Sequence, residues 1–143
     1  MCGIVGIIGR SGLALSDELI EQMVADLAHR GPDGRGVMRR GSVALGHRRL
    51  SILDPLGGRQ PMINEDGEVW VTFNGEIYNF RDVARELTSR GHVFRTQCDT
   101  EVIIHAWEEW GRGCLDRFRG MFAFGIVDWR RGSVFLARDQ LGI

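Results

Sequence analysis

Residues 121–127 form an uninterrupted apolar run, and this run constrains the fold more than any other part of the sequence. A strand without a polar face must be covered on both sides, as in the interior layers of a protein. Two more short, mainly apolar runs lie at residues 4–8 and 69–73. Residues 34–45 and 133–137 also predict strands, next to glycine-containing turn signals. The strands therefore predict two sheets packed against each other.

Helical periodicity separates these groups of strands. Apolar residues recur every four positions after Ser16, a candidate helix cap, and Gly31-Pro32 is expected to end this helix. The same spacing predicts further helices over residues 80–90 and 102–110. Strands near both ends with helices between them indicate an α+β fold, with the helices outside the two sheets.

The composition is that of a folded domain. The chain has 143 residues, of which 43% are hydrophobic and 26% are charged, so it can bury a core. Its net charge of -1 comes without a basic stripe, which argues against a nucleic-acid partner. The sequence has no long apolar run and no signal peptide, so we expect a soluble, cytoplasmic protein that does not enter a membrane.

The cysteines and histidines do not have the spacing of a metal site. Cys2, Cys98 and Cys114 are an odd number without a CxxC pair, which disfavours both a disulfide framework and a zinc site. The 4 histidines are spread along the chain, and we assign hydrogen-bonding roles to His29 and His47. We therefore expect no metal in this chain.

Cys2 directly follows the initiator Met1, and this position supplies the thiol with a base. Removal of Met1 would leave the thiol and a free α-amine, with a pKa of about 7.7–8.0, on one residue. An N-terminal nucleophile of this kind carries out covalent catalysis with its own amine as the base. Taken alone, the pattern also fits a buried strand that begins Cys-Gly-Ile-Val.

A series of short segments resembles the glutamine-hydrolysing domain of the class II glutamine amidotransferases, most closely that of the asparagine synthetase branch. In chain order they are Cys2-Gly3-Ile4-Val5-Gly6, Arg30-Gly31-Pro32-Asp33-Gly34, His47-Arg48-Arg49-Leu50-Ser51-Ile52, Gln60-Pro61, Asn74-Gly75-Glu76-Ile77-Tyr78-Asn79, Asp99-Thr100-Glu101-Val102-Ile103, Gly120-Met121-Phe122-Ala123-Phe124, and Ala137-Arg138-Asp139 with Leu141-Gly142. The Arg-Gly-Pro-Asp and Asn-Gly-Glu-Ile-Tyr-Asn segments are the most specific to that branch. The resemblance implies an N-terminal-nucleophile hydrolase fold, an α-β-β-α sandwich of two antiparallel sheets.

The resemblance also implies catalytic roles. Cys2 would attack the side-chain amide of L-glutamine, while the Asn74 side-chain amide and the Gly75 N–H would hold the resulting oxyanion. From the residues alone, Asn-Gly after an apolar run at a strand end is also a strong hairpin signal. The following segment leads towards a helix rather than a returning strand, which weakens the hairpin alternative.

Five further residues would hold the amino-acid end of glutamine. The resemblance assigns Arg49 to the α-carboxylate, which a guanidinium fork can bind with two hydrogen bonds, with help from the backbone of Ile52 and Leu53. An arbitrary arginine in a basic cluster is more often a solvated surface charge, and this is what we expect for Arg48.

The α-ammonium of glutamine would be held by Asp99, with Glu76 also near that end. The alternative for Asp99 is a helix N-cap in front of Thr100, and the two roles are compatible because they use different lone pairs. Arg30 and Asp33 are expected to fix the loop over the pocket.

We expect residues 1–143 to be a partial glutamine amidotransferase type-2 domain, because the chain stops directly after a strand-like run. No phosphate-binding glycine loop is present, so the resemblance assigns ATP and Mg²⁺ to an absent C-terminal synthetase domain and no cofactor to this one. The full-length protein would convert aspartate to asparagine and could form a homodimer. The alternatives are a relative that amidates another carboxylate, and a silent glutamine-binding fragment.

Overall fold

A computed structural model describes residues 1–9, 15–50 and 58–142, and this part of the chain contains two antiparallel sheets. The 3-stranded sheet has the order β1-β3-β2, with β1 at Gly3–Ile8, β2 at Gly34–Arg40 and β3 at Val43–Arg49. The 4-stranded sheet has the order β4-β5-β6-β7, with β4 at Met62–Ile63, β5 at Val69–Ile77, β6 at Gly120–Asp128 and β7 at Ser133–Arg138.

Helices cover the outer face of each sheet. The helix α1 (Asp17–Asp26) packs on the 3-stranded sheet through its buried residues Ile20 and Val24. The helices α2 (Phe80–Ser89) and α3 (Asp99–Trp110) pack on the other sheet, and a 3₁₀ helix (Gly111–Arg117) continues directly from α3. The expected α-β-β-α order of layers is therefore confirmed.

The apolar strand β6 is covered on both faces, as its sequence predicts. Phe122, Phe124 and Ile126 belong to the core cluster that β5 shares with α2 and α3. Val127 points the other way and packs with Leu45 of the opposite sheet. The alternation of side chains along a strand assigns these residues to two separate cores.

The first helix ends earlier than its sequence predicts. Its last residue is Asp26, and hydrogen-bonded turns carry the chain from there to Gly31. Ser16 occupies the N-cap position, but its side chain forms no capping hydrogen bond. Gly31 does not end the helix. It allows a close backbone contact, because a Cβ atom there would lie 2.4 Å from the carbonyl oxygen of Arg48.

The strand β7 is the last strand of the 4-stranded sheet within the described residues. Its Leu136 side chain is 75% exposed, and Val134 is also exposed. Exposed apolar edges favour association with further strands. That the sheet continues beyond β7 stays a prediction.

A buried histidine joins the two sheets. His47 on β3 is 1% exposed, and its Nδ1 lies 3.2 Å from the Thr72 hydroxyl oxygen on β5. Thr72 donates its only hydroxyl proton to the Gly46 carbonyl, also at 3.2 Å, so the His47 Nδ1–H must donate to Thr72. Burial, with a smaller effect from Arg49, lowers the pKa of His47 to about 4. The histidine is therefore neutral at pH 7, in the hydrogen-bonding role predicted for it.

His47 should make the fold sensitive to acid. Between pH 6.5 and about 4 the unfolded chain binds a proton at this residue and the folded chain does not. The free energy of unfolding should therefore fall as the pH falls, by about 1.4 kcal/mol for each pH unit in this window. Urea unfolding at pH 7 and pH 5 should show a smaller pH dependence for His47→Gln than for the unmodified chain. His29→Gln is the matched control, and an equal pH dependence in all three proteins would contradict the assignment.

Candidate active site

One pocket brings together six residues singled out from the sequence. It is bordered by the start of the chain, the end of β3, the second half of β5 and the first turn of α3. These six are Cys2, Arg49, Asn74, Gly75, Glu76 and Asp99. Ile52 and Leu53, which were predicted to hold the same ligand, lie outside the described residues.

The Cys2 thiol is held by the backbone of Leu50. The Leu50 N–H donates to Sγ at 3.3 Å, and the Leu50 carbonyl oxygen lies 3.6 Å from the same sulfur. Arg30 donates from Nε to the Cys2 carbonyl oxygen at 3.0 Å, so it fixes the nucleophile candidate itself. Met1 also lines the pocket. As long as Met1 remains attached, the nitrogen of Cys2 is part of a peptide bond and is not a free α-amine.

Asn74 and Gly75 lie inside β5 and not at its end, which corrects the sequence prediction. They pair with Ala123 and Phe122, and the ladder continues as far as Ile77. The hairpin alternative is wrong, because β6 remains hydrogen-bonded to β5 on both sides of these residues. Gly75 has φ 143°, a conformation that L-residues rarely adopt.

Two carboxylates, Asp99 and Glu76, share one side of the pocket. Asp99 is 6% exposed, and its Oδ2 accepts a hydrogen bond of 3.0 Å from the Ile77 N–H. Burial raises the pKa of Asp99; the Ile77 N–H acts against this, and the nearby Glu76 charge adds to the increase. The sequence suggested Asp99 as the N-cap of α3. The N-cap is Cys98, and Asp99 is the first residue of the helix. A carboxylate pair of this kind favours a bound cation.

Alternation along β3 decides which of the two arginines reaches the pocket. His47 and Arg49 share the strand face that looks towards β5, whereas Arg48 lies on the opposite face. The solvated surface position expected for Arg48 is wrong. This residue is only partly exposed, and its Nε is buried without a hydrogen-bond partner within the described residues.

Several pocket residues had no role assigned from the sequence, and Gln60 is the most connected of them. Its Oε1 accepts from the Phe73 N–H at 2.7 Å, and its Nε2 donates to the Thr100 hydroxyl at 3.2 Å. It therefore ties β5 to the start of α3 beside the pocket. Gln60-Pro61 was part of the family resemblance, and this was the only sequence signal for Gln60. Leu50 and Cys98 also line the pocket without having been predicted to do so.

Comparison with known proteins agrees with this fold. A family model described as "Glutamine amidotransferase domain" matches residues 1–143. Asparagine synthetase [glutamine-hydrolyzing] 3 of Bacillus subtilis is 40% identical over 146 residues, which cover 100% of this chain and 24% of that protein. Asparagine synthetase [glutamine-hydrolyzing] 2 of rice (Oryza sativa subsp. japonica) is 44% identical over 144 residues, with the same two coverages.

A solved structure shares the fold at lower sequence identity. The glutamine phosphoribosylpyrophosphate amidotransferase of B. subtilis, solved with ADP and GMP, superposes with a TM-score of 0.76 at 21% identity. The match covers 97% of this chain and 37% of that one.

The fold and the family match define a glutamine amidotransferase domain. The chain belongs to the glutamine amidotransferase domain family, in the form found in glutamine-hydrolysing asparagine synthetases. It spans about a quarter of the length of these relatives, 24% in both cases. Among the described residues, no helix is long and apolar enough to cross a membrane.

Gly75 should not tolerate a side chain. A Cβ atom there would lie 2.1 Å from the Met121 carbonyl oxygen, in addition to the unfavourable φ. We expect Gly75→Ala to lower the free energy of unfolding by at least about 3 kcal/mol, measured by urea unfolding. Gly67→Ala is the matched control, because Gly67 has φ 79° and open space around its Cβ position. It should cost only about 1–2 kcal/mol, and equal losses in both variants would rule out the close contact as the cause.

Proposed function

We propose that this domain hydrolyses the side-chain amide of L-glutamine with Cys2 as the nucleophile, and that the ammonia serves ATP-dependent amidation of aspartate in a C-terminal synthetase domain. The observation that carries the proposal is the pocket itself. It joins a thiol, a guanidinium and two carboxylates, and these groups complement a zwitterionic amino acid that carries a reactive side chain.

Recognition of glutamine depends on its charged end. Arg49 pairs with the α-carboxylate, and Asp99 with Glu76 pairs with the α-ammonium. Burial and Glu76 raise the pKa of Asp99 in the free pocket, so a bound ammonium group relieves an unfavourable arrangement. Fixing the charged end leaves the side-chain amide free to approach Cys2.

The chemistry then needs a base and an oxyanion site. The Cys2 sulfur attacks the amide carbon, and the thiol proton passes to the α-amine that removal of Met1 sets free. The Leu50 N–H, 3.3 Å from Sγ, stabilises the thiolate that forms. The Asn74 side-chain amide and the Gly75 N–H stabilise the oxyanion.

Two products leave in sequence. The tetrahedral intermediate breaks its C–N bond, the amine returns the proton to the leaving group, and ammonia departs from a γ-glutamyl thioester. Water then attacks the thioester carbon, giving glutamate and the free thiol. Each step balances without a redox partner or a metal ion.

The synthetase half of the proposal rests on the relatives. They are named asparagine synthetases and extend well beyond the region matched here, and the proposal assigns ATP and Mg²⁺ to that further region. We also propose a cytoplasmic location, because Cys2, Cys98 and Cys114 are all free and Cys2 must stay reduced. A homodimer of the full-length protein remains part of the proposal.

The active protein should begin at Cys2. While Met1 is attached, the α-amine is an amide nitrogen and cannot accept the thiol proton. Intact mass measurement of active full-length enzyme should therefore show the loss of one methionine. A sample that hydrolyses glutamine with Met1 fully retained would contradict the use of the α-amine as base.

Two substitutions separate chemistry from binding. In the full-length enzyme, Asn74→Ala should lower kcat for glutamine hydrolysis by ~10²–10³-fold, the usual loss on removing one oxyanion donor. Arg49→Ala should mainly raise KM, because Arg49 holds the unreactive end of the substrate throughout the reaction. Arg35→Ala, at an exposed arginine paired with Glu21, is the matched control and should change neither constant.

Ammonia-dependent asparagine synthesis provides the folding control for both variants. Free ammonia bypasses the glutamine pocket, so this activity should survive Asn74→Ala and Arg49→Ala. Normal glutamine turnover by Asn74→Ala would disprove the oxyanion assignment. A further outcome is that the unmodified enzyme hydrolyses glutamine and yet makes no asparagine from free ammonia and aspartate. That result would support the glutaminase proposal and contradict aspartate as the acceptor.

A further inference from the structure

Two histidines and a glutamate meet on the side of α3 that faces the loop between α2 and α3. The Nδ1 atoms of His92 and His105 lie 3.2 Å apart, and Nδ1 of His105 lies 3.3 Å from Oε2 of Glu108. One ligand atom from each of the three residues lies within 4.8 Å of the others. His105 and Glu108 are on α3, while His92 is on the loop.

These separations fit a tetrahedral metal ion. With Zn–N and Zn–O bonds of about 2.0–2.2 Å, two ligand atoms on a tetrahedron lie roughly 3.3–3.5 Å apart. The two distances at His105 are already close to this value. The third pair, between His92 and Glu108, lies within 4.8 Å.

Two of the three remaining polar atoms are held by hydrogen bonds. Nε2 of His92 lies 3.3 Å from Glu109, and the second carboxylate oxygen of Glu108 accepts a hydrogen bond of 2.7 Å from Asn64. Nε2 of His105 is buried without a hydrogen-bond partner within the described residues, and it faces Glu101 at 3.7 Å. At His92, the Glu109 carboxylate holds one ring nitrogen and leaves the lone pair of Nδ1 for a metal, as in carboxylate–histidine–zinc arrangements.

The charge around the cluster also favours a divalent cation. The carboxylates surrounding the two rings belong to Glu65, Glu101, Glu108 and Glu109. The positive side chains paired with these carboxylates are Arg90, on Glu109, and Arg130, on Glu108. Arg90 and Arg130 are also shared with Glu86 and Asp66, so negative charge remains in excess.

We propose that His92, His105 and Glu108 bind one Zn²⁺ ion, with solvent as the fourth ligand. The site is separate from the glutamine pocket and does not depend on the proposed function. Its effect is to fasten the α2–α3 loop to α3. Glu101 already accepts hydrogen bonds from the N–H groups of Arg95 and Thr96 in that loop.

The alternative is a cluster held by a proton. Burial lowers the pKa of His105, but the neighbouring carboxylates of Glu101, Glu108 and Glu65 outweigh burial and raise it to about 9. Zinc must displace this proton, so its apparent affinity should increase with pH.

Zinc affinity can be measured by competition with a chromophoric chelator in the full-length protein. Cys2→Ser serves as the background, because the Cys2 thiol would otherwise bind zinc. We expect one tight site that His92→Gln weakens by at least about 100-fold and Glu109→Gln weakens by ~10–100-fold. His29→Gln is the matched control, since His29 is exposed and its ring is hydrogen-bonded to the Asp26 carbonyl, and it should leave the affinity unchanged.

A thermal melt and a spectroscopic measurement complete the test. Zinc should raise the melting temperature of the background protein and not that of His92→Gln, and X-ray absorption should show two imidazole ligands. Absence of zinc binding, or equal affinity with and without His92, would overturn the proposal in favour of a proton-held cluster. If His92→Gln fails to fold, Glu108→Gln gives a second comparison, because it keeps the carbonyl oxygen that accepts from Asn64.

Discussion

Close backbone contacts at two glycines determine where the pocket forms. At Gly31 the chain after α1 lies against the backbone of Arg48, and at Gly75 the strand β5 lies against the backbone of Met121. A Cβ atom at either glycine would lie within 2.4 Å of a carbonyl oxygen. The first contact brings the neighbouring arginine to the carbonyl of Cys2, and the second directs the strand that carries the proposed oxyanion donors. Both contacts require glycine because no side chain fits between the two backbones.

Side chains alternate between the two faces of β3, so the basic residues His47, Arg48 and Arg49 have different surroundings. His47 and Arg49 face the interior, and Arg48 faces the helix layer. His47 is kept neutral by burial and by the charge of Arg49. It can therefore donate to Thr72 without bringing a second positive charge beside the guanidinium. One strand thus supplies both a neutral connection between the sheets and a cationic group for the pocket.

The sequence predicted the strands, the layers and six of the residues that line the pocket, but not contacts between distant segments. Apolar runs and helical spacing are local properties, and residues 121–127 did become the core of β6. Cys2 and Asp99 were recognisable because their short motifs are specific. Gln60 was not, since its contacts are made with β5 and α3. His92 and His105 are 13 residues apart in sequence, a spacing that suggests no metal site until the loop folds back on the helix.

The helix α3 carries residues of both the pocket and the histidine cluster, and its charges are distributed unusually along the helix. Asp99 and Glu101 lie in its first turn, where the helix dipole favours negative charge, but Glu108 and Glu109 lie near its C-terminus, where the dipole disfavours it. The last turn contains no basic residue, so the compensating positive charge must come from outside the helix. Arginines and the histidine pair supply part of it, and a divalent cation would supply more. Every residue from Asp99 to Trp107 is buried, and Asp99 lies roughly 9 Å from His105 along the helix at 1.5 Å per residue, so one buried helix carries residues of both places.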